Sequence, residues 1–208
     1  MSLKLATAKL ATAVFVAVAV TSAPAFACMG PTVIFQDSFQ TLDPAWASIF
    51  DGTIAASGGQ AQVTVPAGEI GGAYYGNKFV DSGDFCVDMV SSDPTTAGGI
   101  VFGFTSDGWY QFEAGDNQQA AVTQITDEGQ LSPVSWRAAP ALKTGANVTN
   151  TLRVTWKGTS ASTYINGQPF VTFNIPAFQG SKIGLIIDNG GSVPMTYNFS
   201  NLKVTNVP

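Results

Sequence analysis

The sequence predicts an all-β chain folded as a two-sheet antiparallel sandwich, and three observations carry that prediction. Gly (22) and Pro (11) fall as punctuation between short apolar runs. Those runs alternate with a period of two, as half-buried strands do. A dozen or so such runs exceed what one twisted sheet carries, so two packed sheets follow.

The strands can be taken in order. Runs at 32–36, 60–65, 73–75, 84–91, 99–104, 109–114 and 121–125 read as strands. In NTLRVTWKG, Leu152, Val154 and Trp156 share a face and are expected in the core. Arg153 and Lys157 share the other face and are expected in solvent. Asn166-Gly167 is a strong hairpin signal, because both central residues of a type I′ turn need positive φ. Val171, Phe173 and Ile175 continue the return strand, and Ile183, Leu185 and Ile187 alternate in the next. The last run keeps Met195, Tyr197 and Phe199 in phase, then slips to Leu202 and Val204, which predicts a bulge near Ser200 and Asn201.

Residues 1–27 read as a secretory leader. Lys4 and Lys9 form a basic start, Leu10 to Val20 is apolar apart from Thr12, and Ala25-Phe26-Ala27 offers a cleavage site. The apolar run falls short of the ~20 residues that span a bilayer. Residues 28–208 then form one domain, expected to be a secreted or periplasmic monomer of bacterial type. Without Lys4 and Lys9 the remainder carries seven basic against fourteen acidic residues, a net charge of −7. That balance leaves no basic footprint for nucleic acid or anionic membranes. Cys28 and Cys86 are the only cysteines, and in an oxidising compartment they are expected to pair. Lipidation of Cys28, directly after the cleavage point, is the alternative.

The chain has no histidine, which removes Ser-His-Asp and Cys-His nucleophile systems and histidine metal sites. Two cysteines cannot build a structural zinc site. Only three glutamates exist, Glu69, Glu113 and Glu128.

The segment GGIVFGFTSDGWYQFEA is the most informative. A four-residue loop at 105–108 would pair Phe104 with Trp109, Phe102 with Gln111 and Ile100 with Glu113. All six side chains would then share one face, with Val101, Tyr110 and Phe112 on the other. Flat rings beside an amide and a carboxyl suit a sugar: the rings for its C–H face, the polar groups for its hydroxyls. Burial of the same residues under a loop is the competing expectation. Trp136 and Arg137, in a Pro- and Ala-rich stretch expected between strands, are candidates for the edge of the same groove.

The order of FQDSF, Trp46, KFVDSGDFCVDMV, GGIVFGFTSDGWYQFEA, NTLRVTWKGTSASTYINGQPF, SKIGLIIDN and YNFSNLKV resembles the concanavalin A-like jelly-roll superfamily. The likeness is to its laminin-G-like and 3-keto-disaccharide hydrolase-like branches and runs from about Val33 to Val204. It implies a jelly roll, and together with the mixed aromatic and polar face it leads to the expectation of an oligo- or polysaccharide partner, bound on the concave sheet face by Trp109, Gln111, Glu113, Trp136 and Arg137. Glycoside hydrolysis or lysis, and adhesion without a sugar site, are the alternatives. The glycosidase branch carries two glutamates and an aspartate on alternate residues of one strand, a spacing absent here. No cofactor is expected. Calcium is common in the superfamily, and Asp37, Asp188 and Asn189 are the residues that could contribute to such a site.

Overall fold

The computed structural model describes residues 28–77, 81–90, 96–115, 117–178 and 181–208. The proposed leader lies outside them. Among the described residues there are fifteen strands and no helix. They are β1 (Val33–Asp37), β2 (Trp46–Phe50), β3 (Thr53–Ser57), β4 (Gln60–Val65), β5 (Ile70–Tyr75), β6 (Gly83–Val90), β7 (Ala97–Thr105) and β8 (Gly108–Gly115). The rest are β9 (Gln119–Thr126), β10 (Gly129–Ala138), β11 (Thr149–Lys157), β12 (Ser160–Ile165), β13 (Gln168–Asn174), β14 (Lys182–Asp188) and β15 (Met195–Thr205).

One sheet runs β13-β12-β11-β6-β15-β4-β3, with β1 added along β15. The other runs β10-β9-β8-β7-β14-β5-β2, and every pairing in both is antiparallel. The main core lies between the sheets, where Leu152, Val154, Trp156, Ile183, Leu185, Tyr197 and Phe199 are all essentially inaccessible. Fully burying each large side chain of this kind contributes about 1.5–3 kcal/mol.

Local chemistry sets the registers. Asn166 and Gly167 take φ of 50° and 78°, closing the β12–β13 hairpin as the Asn-Gly pair predicts. The β15 register against β6 slips between Ser200 and Lys203, with Asn201 at φ 54°, so the late bulge is present.

Three expectations need correction. The β7–β8 pairing is Ile100 with Phe112, Val101 with Gln111 and Gly99 with Glu113. Ile100 and Phe102 therefore face the core, and Val101 lies on the face expected to carry them. The cause is Gly103, at φ 62°, which absorbs one residue of β7; a Cβ there would land on the Phe178 ring. Trp136 and Arg137 are not in a loop but in β10, an edge strand whose register against β9 breaks twice. Arg153 is not solvated: it is 8% exposed and ion-paired with Asp84 at 2.6 Å.

The segment after residue 27 is what buries Arg153. Cys28 is disulfide-bonded to Cys86, so its sulfur is not available to a lipid. Met29 donates its backbone N–H to Asp84 Oδ2 (2.7 Å), and Arg153 Nη1 reaches Met29 Sδ at 3.2 Å. The Arg153 guanidinium also lies 4.6 Å from the centre of the Tyr164 ring. Closing a loop with a sequence separation of 58 stabilises the fold by about 4 kcal/mol on chain-entropy grounds.

Candidate functional site

The site lies on the side of the seven-stranded sheet turned away from the main core. Trp109, Gln111 and Glu113 alternate along β8 and therefore emerge from one face, as their spacing predicts. They form one hydrogen-bonded chain. Trp109 Nε1 donates to Gln111 Oε1 (3.3 Å), and Gln111 Nε2 donates to Glu113 Oε2 (3.0 Å). Thr123 of β9 donates its hydroxyl to the same Glu113 oxygen at 3.5 Å.

Trp109 is half-buried, whereas Gln111 and Glu113 are each 2% exposed. The indole, amide and carboxyl thus stand side by side, but the last two make a floor rather than an open surface. A second apolar cluster helps to close it: Ile49, Val101 and Ile186 are buried here, with Ile70, Tyr74, Phe104 and Trp109 packed around them.

That cluster needs the sheet to curl. Phe50 leaves the end of β2, four places from β8 in the sheet, or about 19 Å if the sheet were flat. Its ring centroid is nevertheless 5.6 Å from that of Trp109. The face is therefore concave. Gly72, Gly99 and Gly184 lie in the intervening strands and put no side chain in the way. At Gly99 a Cβ would strike the Phe112 carbonyl, so the strands approach too closely for any larger residue.

The rings form a continuous series. Tyr74 stacks on Phe104 at 4.6 Å, Phe104 stacks on Trp109 at 5.1 Å, and Phe50 leans on Trp109 at 55°. Lys182 Nζ sits 4.7 Å from the Tyr74 ring centre. At the tip of the β7–β8 hairpin a cleft of about 680 Å³ opens between Phe104, Asp107, Trp109, Gln124, Phe178 and Lys182. Sequence reading missed Phe50 and Tyr74, because only the curl brings them to β8.

At the other end of β8, Gly115 leaves room for Trp136, whose ring lies 3.7 Å from where a Gly115 Cβ would stand. Trp136 is 43% exposed. Arg137, next to it in β10, lines with Trp136 itself a shallow groove of about 430 Å³ that Ser135, Thr172 and Phe173 complete.

Glu113 is electrostatically unusual. Burial, then the negative charge of Asp188, push its carboxyl up to about 8, against the weaker pull of the Gln111 and Thr123 hydrogen bonds. Glu113 is thus protonated at neutral pH. Its Oε1 is buried and has no hydrogen-bond partner. Asp188, on the same face in β14, is itself raised by burial.

The residues considered for calcium are dispersed. Asp37 accepts from Phe39 N–H and from Trp46 Nε1. The Asn189 amide donates to the carbonyls of Val65, Pro66 and Val193. Among the described residues no group of three or more Asp, Glu, Cys or His side chains is gathered to hold a metal.

No family model and no curated protein matches the sequence. Solved structures do match in shape. A galectin-like protein of unknown function from Bacillus subtilis superposes with a TM-score of 0.68 at 9% identity, covering 86% of this chain and 98% of that one. The carbohydrate-binding module CBM66 from Bacillus subtilis gives 0.65 at 14% identity, covering 78% and 96%. The β-glucanase of Bacillus licheniformis gives 0.61 at 13% identity, covering 83% and 97%. At these identities the agreement is one of architecture: the chain has the fold of an antiparallel two-sheet jelly-roll sandwich like theirs.

Proposed function

We propose that the concave face of the seven-stranded sheet binds an oligo- or polysaccharide, with the protein acting as a secreted or periplasmic monomer. The observation that carries this reading is the hydrogen-bonded Trp109–Gln111–Glu113 array with an exposed ring at each end, Phe50 beside Trp109 and Trp136 over Gly115. Residues 109 and 115 are about 20 Å apart along the strand, which gives an extended ligand several points of contact. The array positions the aromatic platform; Trp136 supplies the far rim, and Arg137 lines the groove beside it. Shared architecture with a carbohydrate-binding module and a β-glucanase supports the same ligand class. The disulfide fits an oxidising compartment.

Titration calorimetry against soluble β-1,3-glucan, mixed-linkage β-glucan and xylan tests the proposal. Trp109→Ala is expected to weaken binding at least about ten-fold, or ~1.4 kcal/mol. Absence of any glycan binding, or unchanged affinity in the variant, would remove it.

One observation favours a second reading, hydrolysis of the bound glycoside. Glu113, raised by burial and by the charge of Asp188, shares a face with that second carboxyl, and a raised acid beside another carboxyl is the kind of pair glycoside cleavage uses once the floor is opened to the substrate. Release of reducing ends by the wild type, lost in Asp188→Asn, is the expected result on this reading. Binding without release leaves the protein a binding module.

A further inference from the structure

We infer that Phe50 is the principal stacking surface for the ligand, a residue kept in a conformation the fold itself does not favour. The inference rests on the saccharide-binding reading and assigns its main contact.

Two phenylalanines have positive φ, Phe39 at 49° and Phe50 at 48°. For a bulky residue this is a genuine outlier. Phe39 is repaid by packing: it is 0% exposed, in the main core, and its N–H donates to Asp37 Oδ1 at 2.8 Å. Phe50 has no such compensation. It is 61% exposed, and Phe50 and Trp136 are the exposed aromatic side chains among the described residues.

The local turn sharpens the contrast. Gly52 N–H donates to the Ile49 carbonyl at 3.1 Å, so residues 49–52 form a tight turn with Phe50 at its second position. Positive φ at that position calls for Gly, Asn or Asp. The turn is also held firmly, since a Cβ on Gly52 would collide with the backbone of Gly72. A rigid turn therefore projects an exposed ring, against its own backbone preference, onto Trp109. Backbone strain that packing does not explain is found at ligand-binding positions. The C–H face of a sugar ring is the complement of a flat, exposed aromatic set beside a polar floor.

The test is affinity electrophoresis in gels containing laminarin, mixed-linkage β-glucan or xylan, with thermal melts of the same proteins. Phe50→Gly is expected to lose at least about ten-fold in apparent affinity. Its Tm should stay level or rise by roughly 2–4 °C, because glycine takes positive φ freely. Phe50→Trp should bind within two-fold of wild type. Retained binding in Phe50→Gly, or a Tm lowered by more than about 2 °C, would overturn the assignment. If Phe50→Gly still binds while Trp109→Ala does not, the sugar site stands and Phe50 is not its platform. If the wild type is not retarded by any of the three glycans, the saccharide reading itself fails.

Discussion

Replacing Arg153 by Met is expected to destabilise the protein by about 3–5 kcal/mol, measured by urea unfolding at pH 7. Asp84 is completely buried, and Arg153 holds it with Nε–Oδ1 at 2.6 Å and Nη2–Oδ2 at 2.9 Å. Its remaining polar contact among those described is the Met29 N–H. Removing the guanidinium strands a carboxylate out of reach of water, and that desolvation cost dominates over the loss of the pair's own attraction. The double variant Asp84→Asn/Arg153→Met should recover much of the deficit, because it removes the stranded charge. Equal destabilisation of the single and double variants would show that packing, not charge, is what Arg153 provides.

Glu113→Gln is expected to make stability less sensitive to pH. The Glu113 carboxyl is raised from 4.5 to about 8 in the fold. Below pH 4.5 both the folded and the unfolded chain hold the proton, and no penalty arises. As pH rises from 4.5 to 8 the unfolded chain releases it first, so stability falls across this window and levels off above it. The loss is on the order of 5 kcal/mol. Gln has the shape of the protonated acid and no titration. Wild type and variant should therefore unfold alike near pH 4.5, and the variant should be the more stable by several kcal/mol at pH 9. Unfolding curves offset equally at both pH values would contradict a buried, protonated Glu113.

What the sequence made legible follows from how local each signal is. Alternation placed Leu152, Val154 and Trp156 in the core, and Asn166-Gly167 fixed a hairpin, because both depend on residues within a few positions. Trp109, Gln111 and Glu113 shared a face for the same reason. The β7–β8 register departs from the symmetric hairpin that alternation alone predicts, because Gly103 supplies a bulge. β10 leaves no strand signal in the sequence, because nearly all of it is exposed, so it has no alternation to read, and Pro133 interrupts it. Arg153 looked solvated because nothing near it in sequence announces that residues 28–30 fold across its face. Phe50 and Tyr74 reach the site through the curl of the sheet, a property of the assembled strands.

The strand β10 has one more consequence. It ends its sheet with an unshared row of amides and carbonyls, the kind of border to which a second polypeptide can zip and start a fibre. Two register breaks, a proline that offers no N–H and the cationic Arg137 spoil that border at short intervals. A protein with few charges to keep copies apart is thus guarded at this border against joining a second copy edge to edge.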